Sequence, residues 1–163
     1  MDMRIVLLAV WVAISPSLLV AQSSEAVGGK EGNLYALALE ASITKMRNEW
    51  GHISGTDYHH VVVEKDPVTT DELPSRFGDS SVEYLDTNSL IERYKRVKKP
   101  FDVLRIFPIR NDADKLLVNI SVYEFSYRKH RLLFGLSDWS NVEFRYDCEQ
   151  RRFIATSVKL GGV

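Results

Sequence analysis

Apolar residues recur at helical spacing from Asn33 onward. Tyr35, Leu39, Ile43, Met46 and Trp50 fall at steps of three and four, while Glu40, Lys45, Arg47 and Glu49 lie off that line. Asn33 has N-cap chemistry and Gly51 suits a left-handed C-cap, so the pattern predicts an amphipathic helix that must lie on something. Residues 57–64 (DYHHVVVE) are rich in β-branched and aromatic side chains and stop before Asp66-Pro67, which predicts a strand. Residues 66–81 are polar, contain Pro67, Pro74 and Gly78 and have no period. They read as a long loop, of the kind that is often functional or mobile. A short strand over 82–85 follows, then a helix capped by Thr87, with Leu90, Ile91, Tyr94 and Val97 on one side and Pro100 as its stop.

The remainder alternates. Residues 101–109 form a predicted strand in which Pro108 marks an edge or a bulge, and Asn111-Asp112-Ala113-Asp114 has turn chemistry. Over 115–127, Leu116, Val118, Ile120 and Val122 share one face, and Leu117, Asn119, Ser121, Tyr123, Phe125 and Tyr127 share the other. Further strands are expected at 131–136, at 142–146 with Val142, Phe144 and Tyr146 aligned, and at 152–160 with Ile154, Val158 and Leu160 aligned. Helix, strand, strand, helix and then a run of strands indicates an α+β domain with a mainly antiparallel sheet. Both helices are expected to cover one face of a curved sheet. In element order the chain resembles the cystatin-like and NTF2-like group of folds; the resemblance implies no residue roles.

The amino terminus changes the picture of where the protein goes. Arg4 precedes sixteen uncharged residues, 5–20, interrupted near their end by Ser15-Pro16-Ser17. That run is shorter than the ~20 residues of a membrane-spanning helix. A charged start, a short apolar centre and small residues after it describe a secretory signal peptide over 1–23, with Ala21 and Ser23 meeting the small-x-small rule. Residues 24–32 read as a flexible lead-in and 33–163 as a single domain. The expected destination is secreted or periplasmic, with no membrane contact after cleavage.

Composition narrows the classes. The 163 residues are 45% hydrophobic and carry a formal net charge of −1, which excludes a disordered chain and gives no general nucleic-acid footprint. One cysteine, Cys148, excludes an internal disulfide and a Cys-rich metal site. It extends the Val142–Phe144–Tyr146 face, and burial as a small hydrophobe is expected, with pairing between chains as the alternative. No cofactor or metal is expected.

Candidate chemistry is sparse. His59 and His60 are adjacent in a strand and point to opposite faces, so they do not readily chelate one metal. Asp57 and His59 share a face, and Asp57 with His59 or His60 forms the candidate acid–base set of a small hydrolase or isomerase. The D-x-D at Asp112 and Asp114 is explained by a hairpin turn. Between residues 64 and 86 seven acids face only Lys65 and Arg76, whereas between 92 and 99 Glu92 faces five bases. Arg93, Lys95, Arg96 and Lys99 are therefore a candidate patch for an anion or partner, set against the plainer reading of a solvated helix face. Arg128, Lys129 and Arg131 form a second basic knot. Asn119, Ser121, Tyr123 and Tyr127 make a strand face too polar for an ordinary core, and with Trp139 on a loop nearby they are the candidate ligand-binding set. The sequence thus points to a non-enzymatic module binding an unknown protein or small molecule. A pocket enzyme is the alternative, and a structural role through paired sheet edges a third.

Overall fold

The computed structural model describes residues 32–51 and 58–162. The expected signal peptide, the lead-in before Gly32 and Asp57 lie outside the described residues. Helix α1 (Leu34–Trp50) starts where the Asn33 side chain accepts the N–H groups of Tyr35 and Ala36, at 3.0 and 3.2 Å. Its stripe of Ala36, Leu39, Ile43 and Met46 is buried. Gly51 closes it in a right-handed conformation (φ −54°), not the left-handed one expected. Glycine suits the site because a Cβ there would lie 2.5 Å from the Arg47 carbonyl oxygen.

Strands β1 (His60–Glu64), β2 (Arg76–Phe77) and β3 (Ser80–Leu85) follow. The long loop expected over 66–81 is largely ordered. Asp66 Oδ1 accepts the N–H groups of Val68 and Thr69, Thr70 bonds back to Asp66, and a β2–β3 hairpin occupies the rest. Helix α2 (Thr87–Val97) is capped by Asp86, whose carboxylate accepts the Ser89 N–H at 2.8 Å, so the cap falls one residue before the expected Thr87. Lys98, in the left-handed region (φ 57°), ends it two residues ahead of Pro100.

Five more strands complete the sheet: β4 (Phe101–Ile106), β5 (Arg110–Asp112), β6 (Lys115–Arg128), β7 (Arg131–Asp147) and β8 (Arg152–Gly162). Their order is β2-β3-β1-β4-β6-β7-β8, with β5 also on β6. The α+β class and the mainly antiparallel sheet are as expected. The sheet is open and mixed, because β1 runs parallel to both β3 and β4. The D-x-D segment is the β5–β6 turn, with Ala113 at φ 56°. Lys129 and His130 form the two-residue β6–β7 turn, both left-handed (φ 49° and 60°), the geometry that matches strand twist.

The helices do not share a face. Residues alternate across β1 and β4: Val61, Val63, Leu104 and Ile106 pack with α1, while Val62 and Val103 pack with Leu90 of α2. One helix therefore covers each side of the sheet. α1 lies over β6, β7 and β8, and α2 over the β1–β4–β6 end of the opposite face.

Two bulges reset the strand faces. Val122 pairs with Asp138 and Tyr123 with Leu136, leaving Ser137 over; its hydroxyl donates to the Val122 carbonyl at 3.1 Å. Glu143 pairs with Ser157 and Phe144 with Ala155, leaving Thr156 over, and its hydroxyl donates to the Glu143 carbonyl. The first bulge lets 131–147 run as one strand, so Trp139 sits in β7 rather than on a loop. The second turns Ile154 away from the face of Val158 and Leu160. Cys148 lies exposed in the β7–β8 turn, so the expected burial is overturned: the strand ends at Asp147 and the thiol never reaches the Phe144 face.

Candidate functional site

α2 is eleven residues long and covers only part of its side of the sheet. The uncovered part is built by β4, β6, β7 and β8, and carries most of the expected ligand-binding set. Pairing of Ser121 with Trp139 and of Asn119 with Asn141 brings these side chains to one face. The Asn119 amide nitrogen donates to Asn141 Oδ1 at 2.9 Å and to the Ser140 carbonyl at 3.2 Å, and the Ser121 hydroxyl donates to Asn119 Oδ1 at 3.0 Å. Trp139 lies across Gly161 of β8, where a Cβ would fall 2.2 Å from the ring. The indole can lie there because β8 has no side chain at that point.

Arg105, which sequence reading did not single out, stands beside this ladder. Its guanidinium carbon lies 5.2 Å from the Tyr123 ring centroid and 4.8 Å from that of Phe134, and Glu64 takes its Nε. Cation–π attraction and a charge-assisted hydrogen bond together hold the planar fork in one orientation. Only the alternation of β4, read together with its pairing to β6, would have placed it there. Next to Asn141, Glu143 bonds Lys159 at 2.8 Å and Lys115 at 3.2 Å. The hydrogen bonds from Lys159 and Lys115 hold its carboxyl below the usual glutamate value. The face thus offers amides, a hydroxyl, compensated charges and aromatic surface.

Tyr127 does not join them. It packs at the edge of the α2 cluster, its hydroxyl 3.3 Å from His130 Nδ1 and the Lys95 ammonium 5.8 Å from its ring centroid. The proposed helix patch also divides. Arg93 turns toward the sheet, paired with Glu83 and 5.3 Å from the Phe101 centroid, whereas Lys95, Arg96 and Lys99 are exposed.

His59 and His60 are both exposed. His60 Nδ1 lies 2.9 Å from Ser81 Oγ and its Nε2 3.5 Å from Glu83 Oε2, an alignment of hydroxyl, imidazole and carboxylate across β1 and β3. The Ser81 hydroxyl also donates to the His59 carbonyl at 3.1 Å. With its proton there, Ser81 accepts from His60 instead of being deprotonated by it. Glu83 is shared with Arg93. Tyr84 has its phenol pushed well above the usual tyrosine value by burial, and donates to the Pro74 carbonyl at 2.7 Å, pinning the loop before β2.

A cavity of about 570 Å³ lies on the other side, between the outer flank of α1 (Leu37, Ala41, Thr44) and Ala155 of β8. None of the expected site residues lines it. Among the described residues no group of three metal-ligating side chains converges, and no helix is long and apolar enough to cross a membrane. No protein-family model, curated protein or solved structure matches this chain.

Proposed function

We propose that this chain is a secreted or periplasmic, non-enzymatic binding module whose working surface is the sheet face that α2 leaves open. The observation carrying this reading is the line of Asn119, Ser121, Tyr123 and Trp139, continued by Arg105 and Phe134. Ligand sites combine apolar and aromatic surface with a few placed polar groups, and this face has both. Side chains already held by one another are preorganised, which lowers the ordering cost of binding. A polar small molecule or a protein segment with its own amides and hydroxyls suits such a surface. The element order resembling cystatin-like and NTF2-like folds adds nothing to residue roles.

The test is a panel of sugars, nucleotides, amino acids and short peptides, followed by the indole N–H signal of Trp139 in NMR spectra of isotope-labelled protein. A ligand of this face moves that signal, and Tyr123→Ala weakens its binding while the thermal transition stays within a few degrees. Ligands that instead move only signals of Leu37, Ala41 and Ala155 would place binding in the α1–β8 cavity and refute the reading.

A second reading, a small hydrolase or isomerase, has the His60–Ser81–Glu83 alignment in its favour. Against it stands the direction of the Ser81 hydrogen bond. Should the protein hydrolyse an ester substrate, His60→Ala must abolish turnover; undiminished activity in His59→Ala and His60→Ala eliminates the idea.

A further inference from the structure

Away from that face, the β6–β7 hairpin runs past the rest of the sheet. β4 stops pairing with β6 at Phe125, and β8 joins β7 only from Asp138, so the stretch from Ser126 to Leu133 is a two-stranded arm. Its turn carries Arg128, Lys129 and Arg131, all exposed. Just behind the turn, Leu132 and Leu133 point to opposite faces, and Leu136 follows; the three are 40–46% exposed, and so is Val97 at the end of α2. α2 leans on the base of this arm: Tyr94 meets Phe125 edge-on at 6.3 Å, and the Lys95 ammonium lies 5.8 Å from the Tyr127 centroid. Lys95 thus stands beside the arm, and Arg96, Lys98 and Lys99, also exposed, follow it in the chain before β4 enters at Phe101, the partner of Phe125 at the arm's base. These segments carry seven exposed cations against three carboxylates: Glu92 on α2, and Asp102 and Glu124, which are opposite one another in register on β4 and β6.

We propose that this arm and the end of α2 form a docking surface for anionic lipid membranes. Cations at the apex with apolar side chains a residue or two behind suit a headgroup layer above an acyl boundary, because strand residues advance by ~3.3 Å each. An amphipathic surface of this kind inserts by about 5–10 Å, and each Lys or Arg near an anionic leaflet strengthens attachment. Basic residues alone suit any polyanion; the leucines on both sides of the arm, which no neighbouring strand covers, favour lipid. Peripheral docking needs no spanning segment, so it is compatible with the absence of one in the helices described. It departs from the expectation, drawn from hydropathy alone, of no membrane contact.

The test is flotation of the full chain with vesicles of phosphatidylcholine containing about one-third phosphatidylglycerol, against phosphatidylcholine alone. Any residual binding through the apolar residues 5–20 is common to both vesicles, so the readout is the difference between them. The wild type is expected to prefer the anionic vesicles, and the preference to fall as salt rises. K129Q/R131Q weakens it by about fivefold per charge, so about 25-fold for the pair. Leu133→Ser also weakens it several-fold, with an unchanged thermal transition as the folding control. No preference for anionic vesicles overturns the proposal. So does a loss confined to K129Q/R131Q with Leu133→Ser binding like the wild type, which would assign the surface to a soluble polyanion.

Discussion

Ser42 of α1 and Ser140 of β7, 98 residues apart, share a hydrogen bond of 2.7 Å between their hydroxyls, and both are fully buried. Removing one hydroxyl leaves the other in a dry interface without its partner, which costs about 1–3 kcal/mol. Removing both leaves two alanines in nearly the same volume, and that change is close to neutral. Ser42→Ala and Ser140→Ala are therefore each expected to lower stability by about 1.5 kcal/mol, and the double variant by under about 1 kcal/mol. The coupling is then about 2 kcal/mol, within the range for residues in direct contact. Urea unfolding followed by far-UV circular dichroism reads this directly: with a slope of about 1–2 kcal/mol per molar, each single variant shifts the midpoint by about 1 M. If the two losses simply add, or each is under about 0.3 kcal/mol, the hydroxyls reach water and the interface is not sealed as described.

Other outcomes follow from the site. The Glu143 carboxyl is held below its ordinary value by its lysine partners, so its contribution is present above the ordinary carboxylate range and lost as pH falls through the lowered folded value. The stability gap between wild type and Glu143→Gln should accordingly be open at pH 7 and close on acidification; a pH-independent gap in urea midpoints would contradict this assignment. Gly161→Ala places a methyl group against the Trp139 ring, and overpacking of this kind costs about 1–3 kcal/mol. It should lower Tm and alter the Trp139 indole signal, and an unchanged signal would mean the ring does not lie across β8.

Much of the fold was legible in local pattern. The Leu39–Ile43–Met46 stripe and Asn33 placed α1, and the alternation of Leu116, Val118, Ile120 and Val122 identified the buried face of β6. Which side of the sheet each helix takes was not legible. A helix stripe says that a helix must be covered, whereas the choice of side is made by nonlocal pairing: β1 inserts between β3 and β4, and Val62 with Val103 then supplies an apolar patch for α2. Bulges are equally silent in the pattern. One extra residue at Ser137 or Thr156 inverts every side chain beyond it, which is why Trp139 falls within β7 instead of on the expected loop, and why Ile154 leaves the face that alternation gave it with Val158 and Leu160. For the site, Asn119, Ser121 and Tyr123 were readable because a polar run on a strand face stands out. Arg105 and the Glu83–Arg93 pair were not, since a lone charge discloses its partner only once the strands are in register.

The packing of α1 against β8 joins the earliest helix described to the last strand described. A ribosome delivers α1 well before β8, so the nascent helix keeps the flank that Val158 and Leu160 later cover open while more than a hundred further residues are made. Contacts this remote are slow to close, and chains interrupted before β8 are deprived of that part of the roof. Truncation near the carboxyl end should thus be punished as a defect of the whole molecule, with chaperone dependence and aggregation as its signs.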